Sequence, residues 1–253
     1  MIDGFRDGEP RNTALVVGAG QGIGLEFVRQ LLQSQQFDRI YATHRKPESD
    51  LLKIDDPHLR CFQMDIVEEG QIAEVAKAIQ AETSSLQFVI NCVGLLHDGT
   101  VQPEKSLRHL NAEALLRYFQ VNSIGAVMLA KHIQPLLKHR TRAVFATISA
   151  KIGSIGDNQA GGWYGYRASK AALNMFLRTT AIEYKRTCPG VIVVMLHPGT
   201  TDTELSRPFQ RTVPPEKLFS VDRTVRQLLD VIDQLKATDS GEFFSWDGSR
   251  LPW

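Results

Sequence analysis

Tyr166 and Lys170 stand four residues apart in the run Trp163-Tyr164-Gly165-Tyr166-Arg167-Ala168-Ser169-Lys170, and a phenol beside an ammonium can do acid/base chemistry. On a helix the two side chains leave the same face on neighbouring turns. A free tyrosine ionises near pH ~10, too high for a proton shuttle at neutral pH, and an adjacent cation lowers that value. The same spacing recurs on ordinary solvated helices, so the pair alone does not establish catalysis. Tyr164 is a rival phenol, but it is six residues from Lys170 and faces elsewhere on a helix. It is expected to line a substrate pocket or to pack in it.

A second constellation is Gly18-Ala19-Gly20-Gln21-Gly22-Ile23-Gly24, lying between a β-branched run and a helical pattern. Glycines permit a tight turn and close approach of backbone to a pyrophosphate, whose charge meets the N–H groups and dipole at the helix start. G-x-G-x-x-G is weak in isolation and gains weight from the strand-turn-helix context. After the next strand comes Thr43-His44-Arg45-Lys46, with no acid before Glu48. An acid there would hold a ribose 2′-hydroxyl, whereas a guanidinium grips a 2′-phosphate. The pattern favours NADP(H) over NAD(H), with Arg45 as leading contact and Thr43 and Lys46 as helpers; the alternative is a solvated basic loop.

These residues need a scaffold. Apolar, β-branched runs at 13–17, 39–43, 60–63, 88–92, 143–148 and 191–196 read as buried strands, and 22–34, 71–81, 112–139 and 164–186 carry helical periodicity. Such alternation implies an α/β fold, a doubly wound and mostly parallel sheet with helices on both faces. No repeat or long linker interrupts it, so one domain over 1–253 is expected, with a flexible 1–10. The proline-bearing stretch 201–220 is a candidate substrate lid.

Composition excludes several classes. The chain has 43% hydrophobic residues, 23% charged residues and a net charge of +1, which gives no basic excess for a nucleic-acid partner. Cys61, Cys92 and Cys188 are too scattered for a disulfide framework or a zinc site, and the histidines show no metal-binding pairing. The first ten residues carry acids and no apolar core of a signal peptide, and no run approaches the ~20 apolar residues of a membrane span. A cytoplasmic protein is expected.

With three further segments these motifs resemble the short-chain dehydrogenase/reductase family over nearly the whole chain. Gly18, Gly22 and Gly24 match its G-x-x-x-G-x-G, with Val17 where a threonine is usual. Asn91-Cys92-Val93-Gly94 is similar to its N-N-A-G turn and keeps the outer Asn and Gly. Asn122 falls where the helix-borne Asn sits, Tyr166-x-x-x-Lys170 matches the signature, and His197-Pro198-Gly199 matches the P-G after the sixth strand. Segments 153–158, 161–164 and 247–253 resemble the C-factor or sniffer-like carbonyl reductases.

The resemblance implies a single-domain Rossmann fold and NADPH-dependent reduction of a small aldehyde or ketone. Tyr166 would act as proton donor, Lys170 would lower its pKa and hold the nicotinamide ribose, and Asn122 would support a water-linked proton path. The alternative role of Asn122 is a buried amide stabilising a helix kink. Ser149 would orient the substrate, although anchoring on Gly153 puts Ala150 in that position; Ser154 is the reserve. Asp65 with Ile66 would meet the adenine, while Asp65 alone could cap the following helix. Asn91, Val93 and Gly94 would line the cofactor cleft. Pro198, Gly199, Thr201 and Thr203 would lie over the nicotinamide, and Leu205, Pro208 and Phe209 would form an apolar lid. Homodimers or homotetramers through the long helices are implied, with monomers also known. A second function class is a dinucleotide-binding signalling or regulatory protein of the C-factor type with little turnover.

Overall fold

The apolar runs form strands because each can be covered on both faces, the condition for a parallel sheet. A computed structural model describes residues 12–253; the segment 1–10 expected to be flexible lies outside the described residues. The strands β1 (Thr13–Val17), β2 (Arg39–His44), β3 (Leu59–Gln63), β4 (Phe88–Asn91), β5 (Ala143–Ile148) and β6 (Val191–His197) fall within a residue or so of expectation. Two short strands, β7 (Thr200–Thr201) and β8 (Leu218–Phe219), pair with each other, and β9 (Phe243–Ser245) closes the main sheet. The order is β3-β2-β1-β4-β5-β6-β9, every pairing parallel. Strand order therefore reverses between β1 and β4, where Val17 lies opposite Asn91. A doubly wound sheet opens its crevice at that point, beyond the carboxyl ends of the strands.

Alternating side chains of the strands feed two cores. On one face α1 (Gly22–Ser34) and α6 (Val221–Gln234) pack together over Ala14, Val16, Ile40 and Val194. On the other, α2 (Glu69–Gln80), α3 (Ala112–Phe119), α4 (Gly125–Ile133) and α5 (Tyr164–Thr187) cover Leu15, Val89, Phe145 and Val193. Neither α6 nor β9 was expected from the pattern. For α6 a signal existed: Ser220 accepts the Arg223 N–H at 3.2 Å as N-cap, and Val225, Leu228, Val231 and Ile232 form one buried stripe. The three residues of β9 are too few for any periodicity to show.

The expected continuous helix over 112–139 is corrected. It breaks into α3, a π-turn at Gln120–Ile124, α4 and a 3-10 turn at Gln134–Leu137. The π-turn carries Asn122, whose side chain bonds sideways to another segment. The 3-10 turn begins where Pro135 lacks a donor. Helix α2 starts at Glu69, two residues before the expected 71.

Candidate active site

At the end of β1 the chain turns sharply, with φ of +80° at Gly18 and +56° at Gly22. A Cβ on Gly24 would fall on the Gly18 carbonyl, and one on Gly18 would come within 2.7 Å of Val93 Cγ2, so only glycine fits where the turn, β4 and α1 meet. Thr43 secures the turn: its hydroxyl accepts the Gly18 N–H at 3.1 Å and its carbonyl accepts the Ala19 N–H at 2.7 Å. Ser49 donates to the Gly20 carbonyl at 3.1 Å. Helix α1 starts from an extended, exposed Gln21 with no side-chain cap and no acid in its first turn. Its first N–H groups are open to an anion, and the cradle fits a dinucleotide pyrophosphate. Ile23 packs beneath the turn against the α1/α6 core.

Arg45 and Lys46 are exposed just past β2, and His44 Nδ1 contacts the Lys46 carbonyl at 2.7 Å, bending this tip beside Gly20. Thr43, by contrast, is buried as a structural brace. Asp65 Oδ1 accepts the Val67 N–H at 3.2 Å, a turn ahead of α2; Glu68, not Asp65, holds the N-cap position. Ile66 is buried, its side chain packed at Gly125.

Across the crevice Asn91 Oδ1 accepts the Val93 N–H at 3.1 Å, curling the chain toward Gly94. A Cβ on Gly94 would lie 3.6 Å from Lys170 Nζ, 3.9 Å from Asn122 Oδ1 and 4.0 Å from Leu205 Cδ1. Three of the expected site residues thus converge on one point. The Asn122 amide accepts the Leu95 N–H at 2.6 Å and donates to the Leu95 carbonyl at 2.8 Å and to Ser169 Oγ at 2.9 Å. It joins the loop after β4 to α5, and it is buried within the π-turn.

Tyr166, Lys170 and Asn174 form one buried stripe on α5. Among the buried tyrosines, Tyr118 donates to the Leu96 carbonyl at 2.6 Å and Tyr184 to the Ala130 carbonyl at 2.7 Å. No hydrogen bond within the described residues engages the Tyr166 hydroxyl. Lys170 Nζ donates to the Ile148 carbonyl at 3.0 Å and stands 5.9 Å from the centroid of the Tyr166 ring. Here the electrostatics correct the expectation of a phenol lowered by its lysine. Burial pushes the Tyr166 phenol above its usual value, and burial lowers the Lys170 ammonium to about 8, opposed weakly by Cys92. At neutral pH the phenol keeps its proton.

Ser149, 2% exposed, donates its hydroxyl proton to Asn174 Oδ1 at 2.7 Å, and Asn174 Nδ2 has no partner among the described residues. Ala150 follows it, packed against the core that contains Tyr166. Ser154, the reserve, accepts the Asp157 N–H at 3.1 Å and so serves its own turn. Pro198 is buried, and Gly199 (φ +74°) makes room for the Phe219 ring, 2.6 Å from where its Cβ would be. Thr201 Oγ1 shares a hydrogen bond of 2.9 Å with Thr224 Oγ1 on α6. Thr203 Cγ2 lies 3.4 Å from the Cβ position of Gly22, facing the glycine turn.

The 201–220 segment is closed at both ends by β7 and β8 and carries 3-10 turns at Arg207–Thr212 and Pro215–Lys217. Leu205 and Phe209 pack inward, whereas Pro208 is exposed. Tyr164 is exposed at the start of α5. It shares the outer face of α5 with Arg167, Ala168 and Ala171 and lines a surface cleft of about 430 Å³. Sequence reasoning passed over Glu104 and Arg167, which secure the start of α5, and Asn174. Asn174 is legible as the next i,i+4 step after Lys170; a lone acid in a loop gives no signal.

The fold and this site define a class. A short chain dehydrogenase model matches residues 12–214, and the chain belongs to that family of oxidoreductases. A chicken fatty-liver carbonyl reductase solved with NADPH bound superposes with a TM-score of 0.84 at 28% identity, covering 95% of this chain and 98% of that one. The carbonyl reductase Sniffer of D. melanogaster shares the fold, with a TM-score of 0.84 at 24% identity over 96% of this chain and 99% of that one. The C-signal protein of Myxococcus xanthus is 33% identical over 139 residues, 55% of this chain and 78% of its own. Among the described residues no helix is long and apolar enough to cross a membrane.

Proposed function

We propose that the protein is an NADPH-dependent reductase of aldehydes or ketones, with Tyr166 as proton donor. One observation carries this reading: a buried phenol, kept protonated and engaged by no protein acceptor, stands one helical turn from a buried lysine at the mouth of the crevice. The glycine turn and the open start of α1 suit a nicotinamide dinucleotide. Gly18, Gly20, Gln21, Gly22, Ile23 and Gly24 would hold its pyrophosphate, Asp65 and Ile66 its adenine, and Asn91, Val93 and Gly94 its middle. Lys170 would hold the ribose, and Pro198, Gly199, Thr201 and Thr203 would cover the nicotinamide. Arg45, exposed just past β2 with no acid before Glu48, supports a 2′-phosphate and hence NADPH. The NADPH bound to the chicken reductase points the same way.

When bound, the nicotinamide supplies hydride to the carbonyl carbon. Tyr166 gives its proton to the carbonyl oxygen as negative charge develops there. Ser149 shares that oxygen once its O–H turns from Asn174 toward it. Lys170 stabilises the phenolate left behind, and Asn122 keeps the chain after β4 in place so that a proton path reaches Lys170. Exposed Leu116, Ile124, Met175 and Ile182 on the long helices support packing of a second copy against that side.

Loss of NADPH absorbance over a panel of aldehydes and diketones tests the reading. Wild type is expected to turn over, and Tyr166→Phe to lose reduction while keeping NADPH affinity nearly intact. Tight NADPH binding with no turnover of any carbonyl would put the regulatory reading in its place.

A further inference from the structure

The indole of Trp163 meets two rings, one on α5 and one on the lid, and further rings link these to the loop after β4 and to α3. Its ring lies edge-on to Tyr166 with centroids 6.2 Å apart and edge-on to Phe209 of the lid at 4.8 Å. Phe209 in turn meets His97 at 5.7 Å, and His97 Nε2 contacts the Leu205 carbonyl at 3.1 Å, joining the loop after β4 to the lid. Tyr118 covers the other side of Tyr166 at 6.2 Å and is anchored through its hydroxyl. One flank of the Tyr166 ring is therefore bounded by Trp163, with the lid ring of Phe209 behind it.

The backbone is arranged to hold that indole in place. Trp163 has φ +52°, a left-handed conformation unusual for a bulky residue. Its N–H donates to the Glu104 carbonyl at 2.5 Å, while Glu104 Oε2 accepts the Gly165 N–H at 3.1 Å. From the outer side Arg167 donates to the carbonyls of Gly162 at 2.9 Å, Gly161 at 3.1 Å and Ile152 at 3.2 Å, pinning both ends of the preceding loop. Around the indole, Glu104 Oε2 is thus directed at the start of α5 and the Arg167 guanidinium into the loop; the charge nearest the Tyr166 ring is the Lys170 ammonium, 5.9 Å from its centroid. The wall that Trp163 and Phe209 build beside Tyr166 is aromatic.

We infer that Trp163 is a specificity-determining residue, and that it selects uncharged carbonyl compounds carrying a flat unsaturated ring next to the carbonyl carbon. The inference rests on the carbonyl-reductase reading above. A planar ring stacks edge-on or offset against indole and phenyl, gaining more than its buried area alone supplies. A saturated ring of equal size gains only burial, and a carboxylate or phosphate set against the two rings gains no ion pair from them to offset its desolvation.

The test compares kcat/KM of the full chain with NADPH for benzaldehyde, cyclohexanecarbaldehyde and glyoxylate. Wild type is expected to favour benzaldehyde over the saturated ring by about three- to tenfold and to be poorest on glyoxylate. Trp163→Leu should bring the benzaldehyde-to-cyclohexanecarbaldehyde ratio toward one, and Trp163→Phe should retain most of it. Phe209→Leu, on the lid and outside the strained turn, should lower the same ratio and serves if the Trp163 variants fold poorly. A wild-type ratio near one, or a ratio unmoved in Trp163→Leu and Phe209→Leu, overturns the assignment while leaving carbonyl reduction standing. Failure of wild type to oxidise NADPH with any of the three or with the wider panel would instead overturn the reading beneath it.

Discussion

Replacing Lys170 by methionine should stabilise the folded protein at neutral pH while abolishing turnover. The ammonium is 2% exposed and donates to one carbonyl, that of Ile148, and burial lowers its pKa from 10.5 to about 8. At ~1.36 kcal/mol per pH unit, that interval corresponds to about 3 kcal/mol of penalty for keeping the lysine charged. Methionine has similar length and no charge to desolvate, but it leaves the Ile148 carbonyl without this donor, at about 1 kcal/mol. The net expectation at pH 7 is about 2 kcal/mol of added stability, or about 4–8 °C in Tm for a chain of this size. The pH dependence has a definite sign. Between about 8 and 10.5 the unfolded chain holds the lysine proton that the folded chain has released, so wild-type stability rises with pH through that window. The advantage of Lys170→Met is fully present below pH 8 and gone above pH 10.5. Urea unfolding of both proteins at pH 7, 9 and 10.5 reads the difference directly, and groups that titrate alike in both cancel. A variant less stable than wild type at pH 7, or a difference that does not shrink with pH, would refute the reasoning.

Two further outcomes test the site. Arg45→Glu places a carboxylate at the tip of β2 and should raise KM for NADPH by about tenfold or more, leaving KM for NADH little changed; equal effects on both cofactors would remove Arg45 from phosphate recognition. Ser149→Ala should lower kcat by about 10²-fold and, by leaving the Asn174 amide wholly unpaired, cost about 1–3 kcal/mol of stability. Unchanged kcat with only the stability loss would make Ser149 and Asn174 a structural pair.

Much of the scaffold was legible because buried parallel strands are short apolar runs and the glycine turn has no substitute residues. Gly24 lies against the Gly18 carbonyl, and that contact is local enough to be written as a motif. Helix α3–α4 was read as continuous because periodicity continues through 120–124; the π-turn follows from Asn122 bonding to Leu95, 27 residues away, which no local pattern reports. Thr43 was taken as a cofactor helper, and the fold uses its hydroxyl to hold Gly18. The six-residue offset of Tyr164 from Lys170 told that it faces away from the pair, and it stands on the outer face of α5; that Trp163 turns in to meet Tyr166 was not legible in the sequence.

By itself the sequence determined which residues could do chemistry and their order along the chain: the glycine turn, the basic tip of β2, Asn91, Asn122, and Tyr166 with Lys170 on one helix face. Tertiary structure alone decided their electrical state. Spacing told that a cation would stand near the phenol, and on that ground the phenol was expected to be acidified. Packing on all sides removes water from both groups, so the phenol is raised and the ammonium lowered. Desolvation is a sum over neighbours from every part of the chain, and spacing along one helix does not contain it.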